Sequence, residues 1–366
     1  MNLFDIRSAV EEADLRIRPH VLETQLRRSD HLSRLTGANV LCKLENLQVT
    51  GSFKARGAAN KIASLTAEQR MRGVVTASSG NHGAAVAAML ARSGGRGIVY
   101  VPTITPQVKV DAIRDYGAEV RFHSDDSGKS EIFARAYAEA EGLAYVPPYN
   151  DPAVIAGQGT IGAEIERQAP EADMVIVSVG GGGLISGIAG FLKGRNPSVK
   201  IIGASPQNDH AMLCSVREGK VAVHADAQPT LSDGTAGSVE PGAITVPLCL
   251  ELVDDWVLAS EEQIANAMRL YMIHDNQLIE GAAGVAVARR GVDRGAAHRG
   301  AGAQRAGDGG AWRGSRRTAW HRPGPCGQDR RDRFGACDSA AARRRRGDSA
   351  EALTLAGRSF ELLAKR

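Results

Sequence analysis

Short β-branched runs alternate with helix-like stretches between Val40 and Ala288, and this alternation constrains the fold more than any other feature. Seven runs predict buried strands: Val40–Leu44, Gly73–Thr76, Gly97–Val101, Glu119–Phe122, Met174–Val179, Lys200–Ala204 and Asp255–Leu258. Helices are predicted between them, at Ser52–Ser64, Gly83–Arg92, Gln107–Tyr116, Ser130–Glu141, Gly157–Gln168 and Leu184–Lys193. Such alternation is typical of parallel sheets flanked by helices. We therefore predict an α/β fold that binds its ligand at strand-to-helix turns.

Composition places the chain among ordinary α/β enzymes and excludes several other classes. At 366 residues it exceeds a typical single domain, and 43% of its residues are hydrophobic but only 4% aromatic. No apolar run reaches the roughly 18 residues that a membrane span needs. The five cysteines are odd in number and scattered, without paired metal-ligand spacing. We therefore expect a cytoplasmic protein with reduced thiols and without a membrane or metal partner.

The segment from Arg289 to Arg346 differs in composition from the rest of the chain. It holds sixteen arginines, five aspartates and no leucine or isoleucine, so its charge is +11 and the remainder carries −7. Without apolar periodicity it cannot offset its ordering entropy, and we predict disorder over residues 289–348. Coding DNA read out of frame would give this bias, although a basic tail that contacts nucleic acid, or a solvated linker, also fits it. A helical pattern returns over residues 349–366.

The string KLENLQVTGSFKARGA, residues 43–58, contains the first candidate for chemistry. Lys54 follows Gly51 and Ser52 on the first turn of a predicted helix, where backbone donors face a bound group. A lysine that attacks an aldehyde must first lose its charge, which burial and a cationic neighbour such as Arg56 favour. Arg56 could equally face solvent, and Lys54 by itself could be an ordinary surface lysine.

Polar residues follow a strand in the string TASSGNHGAA, residues 76–85. The backbone amides and side-chain donors at this predicted helix start could bind an anion such as a substrate carboxylate. A serine or asparagine that merely caps the helix is the structural alternative.

Four consecutive glycines follow another strand in the string VSVGGGGLISG, residues 177–187. Glycines let the backbone approach a phosphate closely, with several N–H groups converging on it. The spacing matches neither the dinucleotide fingerprint nor the P-loop. The string therefore indicates a phosphate-bearing cofactor of another kind.

Together the three strings resemble the fold-type II pyridoxal-phosphate family, and most closely its serine/threonine dehydratases and serine racemases. The resemblance runs from about Arg16 to Ala288 and rests on GSFKARGA, SSGNHG and SVGGGGLISG. It implies two open, twisted, mostly parallel sheets with flanking helices, as in the tryptophan synthase β-chain. It also implies a large cofactor-binding domain of residues 1–72 and 150–288, and a small domain of residues 73–149.

The resemblance further implies pyridoxal 5'-phosphate as cofactor and roles for individual residues. Lys54 would bond the cofactor aldehyde and then take the substrate Cα proton, and Ser79 stands where racemases carry a second acid or base. The substrate carboxylate would be held by Ser78, Ser79, Asn81 and His82. The cofactor contacts would be Phe53 and Lys54, Asn81 at the 3-hydroxyl oxygen, Gly180, Gly181, Gly182, Gly183 and Leu184 at the phosphate, and Gly234 and Glu280 from the strings LSDG and EGA.

The chain departs from the family pattern in two places. A Ser-Gly-Gly-Asn strand that presents a hydroxyl to the pyridine nitrogen would fall near Gly310, where no such string stands. Relatives often hold a divalent cation through a Glu and an Asp after the sixth strand, but Ser205 replaces that Glu. Asp209 and nearby carbonyls could still bind a metal, but we predict none.

We therefore predict a pyridoxal-phosphate-dependent ammonia-lyase for L-threonine, L-serine or a related 3-hydroxy amino acid, with a 2-oxoacid and ammonia as products. We expect a small amino-acid substrate and a homo-oligomer, and no nucleic-acid or membrane partner. A serine racemase or a hydroxyectoine-catabolism dehydratase on the same scaffold is an alternative, as is an inactive homologue that lacks its last strand. A binding protein whose basic tail contacts nucleic acid is the alternative from another class.

Overall fold

The structure is a computed structural model that describes residues 3–288. The expectations of disorder over residues 289–348 and of a helix over 349–366 lie outside the described residues, as does the position near Gly310. The described residues all belong to one compact unit. No helix there is both long and apolar enough to span a membrane.

Helices and strands alternate through the described residues, as the sequence pattern predicts. The helices are α1 (Leu3–Ile17), α2 (Asp30–Thr36), α3 (Lys54–Ser64), α4 (Ala67–Arg72), α5 (Asn81–Ser93), α6 (Gln107–Arg114), α7 (Ser127–Ala140), α8 (Pro152–Gln168), α9 (Gly183–Arg195), α10 (Ala211–Glu218), α11 (Thr245–Leu252), α12 (Glu261–Asp275) and α13 (Gly281–Ala288). The strands are β1 (Leu26–Arg28), β2 (Leu41–Lys43), β3 (Val74–Ala77), β4 (Gly97–Val101), β5 (Glu119–Phe122), β6 (Ala144–Tyr145), β7 (Met174–Ser178), β8 (Lys200–Pro206) and β9 (Asp255–Ala259).

Two parallel sheets organise the described chain. One has four strands in the order β5-β4-β3-β6, and the other has three in the order β7-β8-β9. Strand β3 is fully buried, as the β-branched run VVTA requires when helices cover both faces of a sheet. The predicted α/β fold with two mostly parallel sheets is confirmed.

The first predicted strand has a different role from the others. The run Val40–Leu44 was expected to be a buried strand, but only Leu41–Lys43 pairs, antiparallel to Leu26–Arg28, in a separate two-stranded sheet. Its three residues are only partly buried. Val40 and Leu44 at its two ends are buried instead, which explains the apolar appearance of the run.

Small residues set the packing of α8 against α9 in the largest apolar core. A Cβ on Gly187 of α9 would lie 2.3 Å from the carbonyl oxygen of Ile155 on α8. A Cβ on Gly159 would lie 2.9 Å from the carbonyl oxygen of Gly187. Ile155 and Ile185 in the same core are almost fully buried, and burial of such a side chain contributes about 1.5–3 kcal/mol. This close packing fixes the start of α9, and with it the glycine loop that precedes it.

Two strand-to-helix turns lie at the carboxyl ends of parallel strands, one in each sheet. Strand β3 ends at Ala77 and leads into α5, which begins at Asn81. Strand β7 ends at Ser178 and leads through consecutive glycines into α9. In open α/β sheets ligands bind at this edge, so both turns are candidates for the functional site.

Candidate active site

Lys54 is the first residue of α3 and is partly buried. Its Nζ donates a hydrogen bond to the Pro148 carbonyl oxygen at 2.7 Å and lies 5.4 Å from the centroid of the Phe53 ring. Burial lowers the pKa of Lys54 to about 8, although the carboxylates of Glu131 and Glu280 oppose the shift. A useful fraction of the neutral amine is therefore present near neutral pH, as attack on an aldehyde requires.

Arg56 is not among the groups that shift the pKa of Lys54, and its side chain does not face solvent. The side chain is fully buried, with Nε 2.8 Å from Glu45 Oε2 and Nη1 2.6 Å from Glu164 Oε1. Both expectations for Arg56 are therefore wrong. Residues two apart on a helix do not face each other, so Arg56 points away from Lys54 into the interface between α3 and α8.

Asn81 and Glu280 meet although they lie in distant parts of the sequence. The Asn81 side-chain amide donates to both carboxylate oxygens of Glu280, at 3.0 and 3.2 Å. Glu280 also lies beside Gly234, where an added Cβ would be 3.7 Å from Glu280 Oε1. The structure thus brings the strings SSGNHG, LSDG and EGA together, with Glu280 close enough for its charge to act on Lys54.

The ring of His82 is turned into the protein. Its Nε2 lies 3.0 Å from the Val146 carbonyl oxygen, which can only accept, so Nε2 carries the proton. Burial, together with the charge of Lys54, lowers the pKa of His82 to about 3. The neutral ring leaves an unprotonated Nδ1, buried and without a hydrogen-bond partner. Such an acceptor repels a carboxylate, so the ring is unsuited to the predicted substrate contact.

Ser78 and Ser79 lie in the turn between β3 and α5 and are both partly exposed. The Ser78 hydroxyl accepts a hydrogen bond from the Gly80 backbone N–H at 3.2 Å. Helix α5 then begins without a side-chain cap at Gly80. The first N–H groups of a helix have no intrahelical partner, so this turn offers backbone and hydroxyl donors to an anion.

The four glycines after β7 are required by their surroundings. Gly182 has φ +85°, a conformation that residues with a side chain rarely adopt, and it immediately precedes the first residue of α9. A Cβ on Gly181 would lie 2.4 Å from the Tyr149 ring, and one on Gly180 would lie 2.9 Å from the Thr235 backbone. The loop therefore presents bare backbone at the amino end of a 13-residue helix, where a phosphate binds favourably.

Three residues beside this site were not predicted from the sequence. The Tyr149 hydroxyl accepts a hydrogen bond from the Glu240 backbone N–H at 2.8 Å, while the ring packs over the glycine loop. Glu131 faces Lys54, and burial together with Glu240 raises the pKa of Glu131. The position of Tyr149 just after β6 was the available signal, because the carboxyl ends of parallel strands meet at one edge.

Ser205 and Asp209, the candidates for a cation site, both make hydrogen bonds to backbone groups. The Ser205 hydroxyl donates to the Val179 carbonyl oxygen at 3.1 Å. One carboxylate oxygen of Asp209 accepts from the Gly237 backbone N–H at 2.7 Å.

The site fits a phosphate-bearing aldehyde cofactor, and the sequence comparison identifies its class. A lysine with a lowered pKa, a bare glycine cradle at a helix start and an amide–carboxylate pair adjoin one another. The pattern of the family described as pyridoxal-phosphate dependent enzymes matches residues 17–303. The chain belongs to this family, and pyridoxal phosphate is its cofactor.

Individual relatives and a solved structure show which members of the family the chain is similar to. The chain is 41% identical over 288 residues to the catabolic L-threonine dehydratase of Escherichia coli, covering 78% of this chain and 87% of the relative. It is 42% identical over 279 residues to the L-threonine ammonia-lyase of Thermotoga maritima, covering 76% and 69%. The solved structure of maize serine racemase superposes with a TM-score of 0.75 at 33% identity, covering 79% and 87%.

Changing Gly181 to alanine is expected to weaken cofactor binding. The added Cβ overlaps the Tyr149 ring, and overpacking of this kind costs about 1–3 kcal/mol, which corresponds to roughly 5- to 150-fold in the dissociation constant. Fluorescence titration of apoenzyme with pyridoxal phosphate measures the change. Gly194→Ala, near the other end of α9, contacts only the flexible Arg7 side chain and should bind as the unchanged protein does. Equal affinities for both variants would contradict the assignment of the loop.

The lowered pKa of Lys54 predicts the pH dependence of cofactor capture. Only the neutral amine reacts with an aldehyde, so the capture rate of apoenzyme should rise with pH and level off above about 8. Stopped-flow absorbance at a series of pH values measures the rate. A midpoint near the ordinary lysine value of about 10.4 would show that burial does not tune this amine.

Proposed function

We propose that the protein catalyses β-elimination of L-threonine, L-serine or a related 3-hydroxy amino acid, releasing a 2-oxoacid and ammonia. The observation that carries the proposal is a set of contacts around Lys54. Its amine bonds the Pro148 carbonyl oxygen next to Tyr149, which packs on the glycine loop, and the charge of Glu280, the partner of Asn81, acts on it. The identity of 41% to a threonine dehydratase over most of the chain supports this choice of reaction.

Lys54 is the proposed base. When bound, the cofactor supplies an electron sink for the charge that develops on the substrate Cα. A neutral amine with a pKa of about 8 is suited to take the Cα proton, because general bases work best when their pKa lies near the working pH. The Pro148 carbonyl oxygen accepts a hydrogen bond from the free amine, and the centroid of the Phe53 ring lies 5.4 Å from the amine.

The remaining assignments concern binding. Gly180, Gly181, Gly182, Gly183 and Leu184 are proposed to hold the cofactor phosphate, with Phe53, Asn81, Gly234 and Glu280 around its ring. Ser78, Ser79 and Asn81 are proposed to hold the substrate carboxylate. For His82 we propose the backbone N–H in place of the ring, because the ring is neutral and already bonded to Val146.

Serine racemisation is the second candidate, because Ser79 lies in the substrate turn and is partly exposed. A racemase needs a second acid or base on the face opposite Lys54, and we propose the Ser79 hydroxyl for this role. The similarity to maize serine racemase is consistent with such an activity. Ser79→Ala should raise the KM for elimination through the lost carboxylate contact, leave its kcat largely intact, and remove any D-serine formation.

Product analysis separates these functions. Purified, cofactor-saturated protein should release 2-oxobutanoate from L-threonine and pyruvate from L-serine, with an equal amount of ammonia. Chiral chromatography of residual serine detects racemisation, and the ring-opened 3-hydroxy-2,4-diamino acid derived from hydroxyectoine, offered separately, tests the third substrate. Bound cofactor without product from any of these substrates would support an inactive homologue instead.

Domain division, assembly and compartment also remain proposals. We propose residues 73–149, which contain the four-stranded sheet, as the small domain, and residues 1–72 and 150–288 as the large one. A homo-oligomer is supported by the apolar Met272, Ile273 and Leu278 on one segment, which are about half exposed or more. Light scattering after size-exclusion chromatography tests the assembly. A cytoplasmic location fits the proposed use of a small amino-acid substrate.

A further inference from the structure

His210, Cys214 and His224 form a cluster of metal-ligating side chains that the proposed reaction does not use. One donor atom from each residue lies within 4.8 Å of the donors of the other two. Cys214 is fully buried and the two histidines are partly buried. Among residues 3–288 it is the one group of three such side chains with this spacing.

Local backbone structure places His210 and Cys214 on one side of a helix. His210 is the residue that precedes α10, and the Cys214 backbone N–H donates to its carbonyl oxygen at 3.2 Å. Side chains four residues apart on a helix lie one above the other. An imidazole and a thiol are therefore held side by side at the start of α10.

His224 comes to the same place from the loop that follows α10. Its Nδ1 accepts a hydrogen bond from the His210 backbone N–H at 3.4 Å and lies 3.9 Å from Asp209 Oδ1. The two imidazole rings are 4.2 Å apart between centroids. The backbone N–H marks Nδ1 as unprotonated, so Nδ1 carries a lone pair that can bind an ion in place of this long contact.

The contacts of His210 fix its tautomer. Its Nδ1 lies 3.0 Å from the Gln207 carbonyl oxygen, so Nδ1 carries the proton and Nε2 is left with a lone pair. Metal-ligating histidines commonly donate their second ring N–H to a backbone carbonyl or a carboxylate in this way, which orients the ring and raises its basicity.

We propose that His210, Cys214 and His224 bind a divalent ion of the zinc class. Two imidazoles and a thiolate suit Zn²⁺ or its substitute Co²⁺, whereas Mg²⁺ and Ca²⁺ prefer oxygen ligands. Tetrahedral bonds of about 2.0–2.3 Å place ligand atoms about 3.3–3.8 Å apart. The donor atoms reach that spacing if side-chain rotations move them by about an ångström from their present separations within 4.8 Å. Water would take the fourth position.

Such an ion would connect α10 to a segment that borders the cofactor site. His224 lies seven residues before Leu231, and the carbonyl oxygen of Leu231 would contact a Cβ on Gly281 at 1.9 Å. Asp209, next to His210, also accepts from the Gly237 backbone N–H. The ion would therefore stiffen the segment that carries Gly234, which gives it a structural role rather than a part in the reaction.

Cobalt titration of the metal-stripped, full-length holoenzyme tests the site. The unchanged protein should develop visible ligand-field bands and a thiolate charge-transfer band, and elemental analysis should count the bound ion. Cys214→Ser and His224→Gln should each weaken binding by more than the roughly 10- to 100-fold that loss of an outer contact costs. Cys42→Ser, a thiol on β2, is the matched control and should bind as the unchanged protein does. Any metal-binding side chains in residues 289–366 are present in every variant. The cobalt that they bind is therefore the same in each protein and does not affect the comparison.

Equal cobalt uptake and identical spectra in all four proteins would overturn the proposal. X-ray absorption of the zinc form gives a second readout, with one sulfur at about 2.3 Å and nitrogens at about 2.0–2.1 Å expected. A shell of oxygen alone would overturn it as well. If Cys214→Ser fails to fold, His224→Gln decides, because His224 lies on a loop and is partly exposed.

Discussion

Lys54→Ala is expected to abolish elimination, with 2-oxoacid formation falling by about 10²–10⁴-fold or more. The substitution removes the amine that bonds the cofactor and the proposed base, and loss of a positioned base alone accounts for a factor of that size. Loss of the covalent attachment adds to it, because the cofactor is then held only by the glycine loop and its ring contacts. Steady-state assays with saturating pyridoxal phosphate and L-threonine measure the change.

Lys61→Ala provides the matched control on the same helix. Lys61 is partly exposed and pairs with Asp151 at 2.6 Å, away from the glycine loop. Its loss should leave the turnover rate within a few-fold of the unchanged protein. Added methylamine should partly restore activity to Lys54→Ala, which a folding defect would not allow. Turnover by Lys54→Ala that matches the control would remove Lys54 from the reaction.

Arg56→Met is expected to cost about 3–5 kcal/mol in the free energy of unfolding. Arg56 is fully buried and bridges Glu45 and Glu164, so its removal leaves buried carboxylates without their main partner. Lys43 still pairs with Glu164, which is why the loss should not exceed this range. Denaturant unfolding at a fixed cofactor concentration measures the shift in midpoint.

Arg195, an arginine on the surface, is the control for the loss of stability in Arg56→Met. Arg195 pairs with Glu166 at 2.6 Å, but the arginine side chain is 43% exposed. Exposed pairs contribute about 0–1 kcal/mol, so Arg195→Ala should lower stability by no more than that. A loss for Arg56→Met as small as for Arg195→Ala would mean that the buried network does not stabilise this fold.

The sequence predicted those parts of the site that short strings encode. The strings around Lys54, Asn81 and Gly181 each lie at or next to a helix start, and the last two follow the carboxyl end of a parallel strand, one in each sheet. Local signals suffice there because a strand-to-helix turn needs particular residues, such as Gly182 with its positive φ. The α/β architecture followed from the same alternation.

The direction of a buried polar side chain could not be predicted in this way. Arg56 was considered only as a neighbour of Lys54 or a solvated cation, because its partners Glu45 and Glu164 lie 11 and 108 residues away. His82 was assigned to the substrate from its place in the string SSGNHG, which does not reveal that its ring meets the Val146 carbonyl oxygen just after β6. Such pairings depend on the tertiary arrangement of the helices and strands, which no local string specifies.

The metal-ligand cluster was missed for a related reason. Cysteine spacing was the signal considered, and only Cys214 of the five cysteines takes part. His210 and Cys214 four residues apart were a usable hint, since a helix places them together. His224 reaches them through the loop after α10, whose course the sequence pattern does not determine.

Peptide mapping after borohydride reduction tests most directly whether Lys54 holds the cofactor. Reduction of the holoenzyme fixes pyridoxal phosphate permanently to its amine, and mass spectrometry of the digested chain locates it. The structure predicts a single modified peptide that contains Lys54, with Lys43 and Lys61 unmodified. Modification of another lysine at equal yield, or none after reduction of fully loaded protein, would contradict the account.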